Sequence, residues 1–207
     1  MANVLFVKVN DRPAEQAVSV KMYEAFLGAY KESHPQDAVT ELDLYEANLP
    51  YYGNTAITGL YKISQGWDLT PEEASLTATV NGYLDQFLAA DKVVIAFPLW
   101  NFMAPAPLIT YISYLAQAGK TFKYTSEGPV GLAGDKKVVL LNARGGVYSS
   151  EPMSALESAV KPVKTALGMF GIQAEEIIIE GHNQIQDRSE AIIAEGLEQV
   201  AKVAATF

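Results

Sequence analysis

Three short stretches of this sequence carry residue types suited to touching a ligand. The first is Leu99-Trp100-Asn101-Phe102, which follows an apolar run, Val93 to Phe97, and Pro98. It is aromatic, has one amide side chain and no charge. Such a loop suits a flat ring with a polar edge better than a metal or a phosphate. The second is Ala143-Arg144-Gly145-Gly146, two glycines after another apolar run. Glycine admits unusual dihedrals and close backbone approach, and freed N–H groups there can donate to developing negative charge. A plain tight turn is the competing reading. The third is the Val9–Ser19 stretch, with Asn10, Ala17, Val18 and Ser19. A loop entering a helix offers unpaired N–H groups to an anion. Ser19 could equally serve as a cap or face solvent.

These stretches need elements to position them. Val4–Val7 with Val9 predicts a buried strand, and apolar positions from Ala17 to Tyr30 predict a helix that His34-Pro35 stops. Val39 to Leu44 predicts a second strand. Residues 45 to 69 predict a long loop broken by Pro50, Gly53, Gly59 and Gly66, and a loop of that length is often functional. Its tyrosines at 45, 51, 52 and 61 predict either loop packing or a contact with a partner subunit. Thr70-Pro71-Glu72-Glu73 carries a capping box with proline at the first helical position, opening a helix to about Ala90. Lys92–Phe97 is the third strand. Pro105 and Pro107 prepare a helix over Leu108–Ala118. Thr121–Tyr124 and Val130–Leu132 form a small β-excursion. Lys137–Leu141 is the fourth strand, Met153–Phe170 a helix kinked or split at Pro162, Glu176–Glu180 the fifth strand and Asp187–Ala205 the last helix. Strand and helix alternate, which means a parallel sheet covered on both faces, an α/β domain. Both doubly wound strand orders stay open. Ligands in such sheets bind beyond the strands' carboxyl ends, where all three stretches lie.

At 207 residues one domain, 1–207, is expected. Fifteen basic against 24 acidic residues give a net charge of −9, which disfavours nucleic acid and anionic membrane. It also asks backbone dipoles to hold any phosphate. Without cysteine, disulfides, thiol chemistry and Cys-ligated zinc or iron–sulfur clusters are excluded; no metal site is expected. No apolar window approaches ~20 residues, and the N-terminus does not resemble a signal peptide, so a soluble, cytoplasmic protein is expected. The first loop lacks G-x-G-x-x-G and G-x-x-x-x-G-K-[ST]. No G-x-S-x-G supports a hydrolase. His182 follows the fifth strand on the ligand edge, and a structural histidine there is the competing reading.

The stretch FPLWNF…P…L…YI-x-YL…AGKTFKYT-x-EGP-x-GL, followed by LLNARGGVYS, resembles the FMN-dependent NADH:azo/quinone reductases of the flavodoxin-like superfamily, most of all their bacillar branch. The likeness covers nearly the whole chain. It implies a five-stranded parallel sheet in order 2-1-3-4-5 with FMN, tightly but non-covalently bound, at the switch point. It implies a homodimer with active sites at the interface. It puts the FMN phosphate on Asn10 and the Ala17-Val18-Ser19 turn. Leu99, Trp100, Asn101 and Phe102 then run along the isoalloxazine, with Ala143, Arg144, Gly145 and Gly146 at its other side. Many relatives have serine where this chain has Ala17 and Ala143, which leaves more to backbone donors. The resemblance implies hydride transfer from NADH and then to a quinone or azo dye, in ping-pong fashion. The chemistry is centred on the flavin, with no catalytic side chain, and Phe102 and Tyr124 wall the substrates. A flavodoxin-like electron carrier, without a pyridine-nucleotide site, is the alternative; a flavin-free regulatory module is a second.

Overall fold

The strands of the central sheet are mostly continuous apolar runs, because both faces are covered. The computed structural model describes residues 1–207. Five parallel strands, β1 (Asn3–Lys8), β2 (Ala38–Asp43), β3 (Lys92–Pro98), β6 (Lys137–Arg144) and β7 (Glu175–Glu180), lie in the order β2-β1-β3-β6-β7. That is the expected 2-1-3-4-5 arrangement, the hairpin β4 (Phe122–Thr125) and β5 (Gly128–Gly131) standing outside the sheet. Side chains alternate across the pleat. Phe6, Val94, Ala96, Val139 and Leu141 meet α1 (Val18–Ser33) and α6 (Ser189–Ala204) on one face. Leu5, Val7, Val93, Ile95 and Leu140 meet α3 (Pro71–Ala89), α4 (Ala106–Leu115) and α5 (Val160–Met169) on the other. No helix is long and apolar enough to cross a membrane.

The capping box at α3 forms as the sequence predicts, Thr70 and Glu73 each bonding the other's backbone N–H. Two expectations need correction. Residues 45–69 are not all loop, for Asn54–Gln65 form α2. The glycines that suggested a loop shape this helix. Gly53 is its N-cap, and Gly66 closes it at φ 69°, the left-handed C-terminal position glycine favours. Gly59 faces α3 so closely that a Cβ would stand 2.6 Å from Thr77 Cγ2. The Met153–Phe170 helix is split, one of its two expected forms, but at residues 157–159 and not at Pro162. Met153–Leu156 is a single 3-10 turn, and α5 starts at Val160. Pro162 is its third residue, inside the first turn where proline's missing N–H costs nothing.

Strand β6 also runs three residues further than expected, because Asn142, Ala143 and Arg144 pair with Ile178, Ile179 and Glu180 of β7. This extension decides which side chains reach the ligand end of the sheet.

Candidate functional site

The carboxyl ends of β1, β3, β6 and β7 open into one groove with two chambers that share Leu99, Gly145 and Asn183. The first chamber, about 330 Å³, lies over the start of α1. That helix has Ala17 as its N-cap and no side-chain cap. The N–H groups of Val18 and Ser19 consequently find no acceptor in the chain. A capping side chain normally satisfies such donors and contributes about 1 kcal/mol; here they stay available for an anion. The Ser19 hydroxyl accepts from Asn10 Nδ2 at 3.0 Å and keeps its own proton to donate. Buried Asn10 also accepts from the Arg12 N–H at 3.0 Å, so its side chain ties the loop to the helix start. Arg12 and Lys21 line this chamber, with Glu15 as the one acidic neighbour. The protein's negative net charge is thus locally reversed, and two cations stand beside the backbone dipoles from which the sequence expects most of the hold on a phosphate.

The second chamber, about 520 Å³, is bounded by Leu99, Asn101, Phe102, Gly145, Gly146 and Tyr148, with Asn183 and Gln184 at its edge. Trp100 and Met103 exchange backbone hydrogen bonds at 3.0 and 2.9 Å. Asn101 and Phe102 between them have φ of 51° and 69°, the signature of a type I′ turn. Such turns favour glycine at the second position; a phenylalanine there is strained. The turn holds the Phe102 ring, 45% exposed, edge-to-face against Tyr148 at 6.1 Å. Across the chamber the N–H groups of Gly145 and Gly146 have no acceptor in the chain. Their carbonyls are taken by the turn after β7, Gly145 O by Asn183 and Gln184, Gly146 O by Gly181. Both donors are thus unpaired in residues that line the chamber. The reason for glycine is proximity and not dihedral freedom, since neither has a positive φ. A Cβ on Gly145 would meet Asn183 Nδ2 at 2.6 Å, and one on Gly146 would meet Tyr148 Cε2 at 3.2 Å.

Asn10, Ala17, Val18 and Ser19 gather in the first chamber as the sequence predicts, and Leu99, Asn101, Phe102, Gly145 and Gly146 in the second. Trp100 and Ala143 line the first chamber instead of the second. Trp100 packs edge-to-face on Tyr45 at 6.3 Å. The Arg144 side chain does not enter the groove. Ala143 and Gly145 face one side of the extended strand and Arg144 the other, where it is 5% exposed between the buried Glu157 and the half-buried Glu180 carboxylates. Tyr124 sits on the β4–β5 hairpin, 75% exposed, and lines neither chamber. Arg12, Lys21, Tyr148, Asn183 and Gln184 were not singled out from the sequence. The pair after β7 had a signal, its place at a strand's carboxyl end; Lys21 had none without the helix start. His182 lines the first chamber, its Nδ1 buried without a partner. Burial, helped by the Lys21 charge, holds its pKa below the usual imidazole value.

Comparison with known proteins fits this geometry. A family model described as flavodoxin-like fold matches residues 2–204. An FMN-dependent NADH:quinone oxidoreductase 2 of Bacillus cereus is 66% identical over 208 residues, all of both chains. The crystal structure of an azoreductase from Bacillus anthracis str. Sterne superposes with a TM-score of 0.98 at 62% identity, covering 100% of each chain. An FMN-dependent NADH-azoreductase from Bacillus anthracis str. Ames Ancestor, in complex with FMN, superposes at 0.87 with 27% identity, over 99% of this chain and 100% of the other.

Proposed function

Because this chain belongs to the flavodoxin-like-fold family, among FMN-dependent NADH:quinone oxidoreductases and azoreductases matched end to end, we infer that it is itself an FMN-dependent enzyme reducing quinones and aromatic azo compounds with NADH. The observation that carries the reading is the two-chamber groove with unpaired N–H donors at both ends. One end suits a phosphate, the other a flat ring whose polar edge gains charge on reduction.

FMN fits the residues present. Its phosphate would be held by the Val18 and Ser19 N–H groups, the Ser19 hydroxyl and the charges of Arg12 and Lys21, with Asn10 fixing their arrangement. Its ring would lie between the 99–102 turn and the 143–146 segment, Arg144 contributing backbone only. FMN, when bound, supplies the two-electron chemistry, taking hydride from NADH and passing it to the acceptor. The protein's part is to bind and orient. The Gly145 and Gly146 N–H groups would donate to the ring edge where negative charge develops, fixed in place before it appears. Phe102 stands over the open side of the chamber, where NADH and then the acceptor would stack in turn. One site used by both substrates gives ping-pong kinetics. Cleaving an azo bond to two amines takes four electrons, hence two NADH.

Residues 1–207 would form one FMN-binding domain, and two copies a homodimer with the sites at the interface. Exposed apolar side chains support that. Tyr51, Ile57, Tyr61 and Trp67 flank or sit on α2, Phe102 lines the second chamber with Met103 next to it in sequence, and Ile109 is exposed on α4. Tyr124, outside the groove of its own chain, would wall the substrates of its partner. Dependence on NADH supports a cytoplasmic location.

Anaerobic mixing of the FMN-loaded protein with NADH tests the reading. The flavin absorbance should bleach within the turnover time and return on adding a quinone. An electron carrier would hold FMN without bleaching, and a regulatory module would hold none.

A further inference from the structure

The Arg144 guanidinium, 5% exposed, sits beneath the groove with three partners. Its Nε donates to Asn142 Oδ1 at 2.7 Å. One terminal nitrogen lies 3.7 Å from Glu157 Oε1, and the other 3.6 Å from Glu180 Oε2. Each partner has a second bond, and each second bond ends on or beside a wall of the ring chamber. Asn142 Nδ2 donates to the carbonyl of Phe97, just ahead of the aromatic turn, at 2.9 Å. Glu157 Oε1 accepts the N–H groups of Ala159 and Val160 at 2.8 and 2.7 Å, fixing the start of α5. Ser158, between them, donates its N–H to the Phe102 carbonyl at 2.8 Å. Glu180 Oε2 accepts the Tyr148 N–H at 2.8 Å. The two walls have no direct hydrogen bond to each other beyond Leu99 N–H to the Ala143 carbonyl.

Resting on the groove as the FMN site, we propose that Arg144 is a positioning residue that couples the two walls of the ring chamber. Its guanidinium sets the spacing between the Trp100–Met103 turn and the Gly145–Tyr148 loop without touching the ring. A planar fork addresses three acceptors in fixed directions; a lysine ammonium, a single point on a flexible stem, does not. The burial makes the coupling sharp. Removing the cation leaves buried Glu157 and half-buried Glu180 with like charges and no counterion, and the buried charge tolerates that arrangement least. Glu157 would then release the Ala159 and Val160 N–H groups, and with them the Ser158 segment bonded to Phe102, and Glu180 would release Tyr148, together.

Amide hydrogen exchange on the apoprotein tests this without relying on activity. In Arg144→Met, protection of Trp100, Met103 and Ser158 and of Tyr148 should fall together, while β1 and β3 amides keep theirs. FMN affinity should fall at least tenfold. Glu180→Gln should loosen residues 145–148 and leave the 100–103 turn protected. Where Arg144→Met fails to fold, Arg144→Met/Glu157→Gln/Glu180→Gln removes the stranded charges, and the same joint loosening is expected in it. A folded variant with both walls protected as in the wild type and unchanged FMN affinity overturns the proposal. So does loss of protection throughout the triple variant, which would make Arg144 a residue of general stability. If the wild-type protein binds no FMN, the reading of the groove fails, and the exchange pattern still decides the coupling.

Discussion

Replacing Phe102 separates the strain of the aromatic turn from its use. Phe102 holds φ at 69° without being glycine, a conformation that costs an L-residue about 1–2 kcal/mol. Phe102→Gly removes that strain but adds about 0.5–1 kcal/mol of backbone entropy to the unfolded chain. It also loses a ring that is 45% exposed, about half of a full aromatic burial, or about 1 kcal/mol. The sum lies within about 1 kcal/mol of zero. Phe102→Ala loses the same ring and keeps the strain. The difference between the two variants therefore cancels the ring and leaves Gly more stable than Ala by about 0.5–1 kcal/mol. For a chain of this size that is a Tm gap of about 2 °C, of opposite sign to the usual preference for alanine. Both variants should show the same rise in KM for NADH and for quinone, since both lose the wall. Thermal melts of the two proteins, with and without FMN, and steady-state kinetics measure this. If Ala equals or exceeds Gly in stability, the turn is not type I′ in solution. If KM stays at the wild-type value in both, Phe102 is not a substrate wall.

Ser19→Ala should weaken FMN by about 1.5 kcal/mol or more, the range for a hydrogen bond to a charged group, and by less for riboflavin's ring portion; equal FMN affinity by fluorescence titration would place the phosphate elsewhere. Gly145→Val should reduce FMN affinity at least tenfold, about 1.4 kcal/mol, because its Cβ would meet Asn183 Nδ2 at 2.6 Å and push that amide toward the groove; Gly146→Ala, with its nearest contact at 3.2 Å, should cost less, and the reverse order would mean that the ring lies nearer Gly146. Burial and Lys21 depress the His182 pKa from 6.5, so the unfolded chain takes up that proton first as pH falls. The stability it contributes is complete above about pH 6.5 and declines below it; urea midpoints on either side of that pH should differ less in His182→Gln than in the wild type.

The parallel sheet, the α3 cap and the placement of the ligand end were legible because each depends on local pattern. Thr70-Pro71-Glu73 specifies a helix start within four residues, and alternating strand and helix specify a parallel sheet. The order 2-1-3-4-5 needed the family resemblance, since alternation alone admits both doubly wound orders. Helix α2 was hidden because Gly53, Gly59 and Gly66 do three different jobs, and the amino-acid letter does not say which. One caps the start, one admits α3 at close range, and one adopts the left-handed turn. The split at residues 157–159 was hidden because Glu157 acts as a cap from a position inside an apparently continuous helical pattern.

The site was legible where it depends on backbone and illegible where it depends on side-chain direction. A loop at a strand's carboxyl end is placed by topology. Whether Arg144 enters the groove depends on β6 continuing to residue 144, a pairing with β7 that lies 36 residues away in sequence. Net charge was silent in the same way, since an average over the chain cannot show that Arg12 and Lys21 converge on one helix start. The main-chain N–H groups at 18, 19, 145 and 146 are unpaired within the chain, and in the proposed site they carry much of the contact whatever the neighbouring side chains are. On that reading alanine suffices at 17 and 143, because neither side chain is asked to donate. Specificity then falls on residues that aim the backbone: Asn10 tying its loop to Ser19, Gly145 clearing room for Asn183, and Arg144 joining the two walls from below. In a site of this construction the informative residues stand behind the ligand's contacts, and a search confined to the contacts overlooks them.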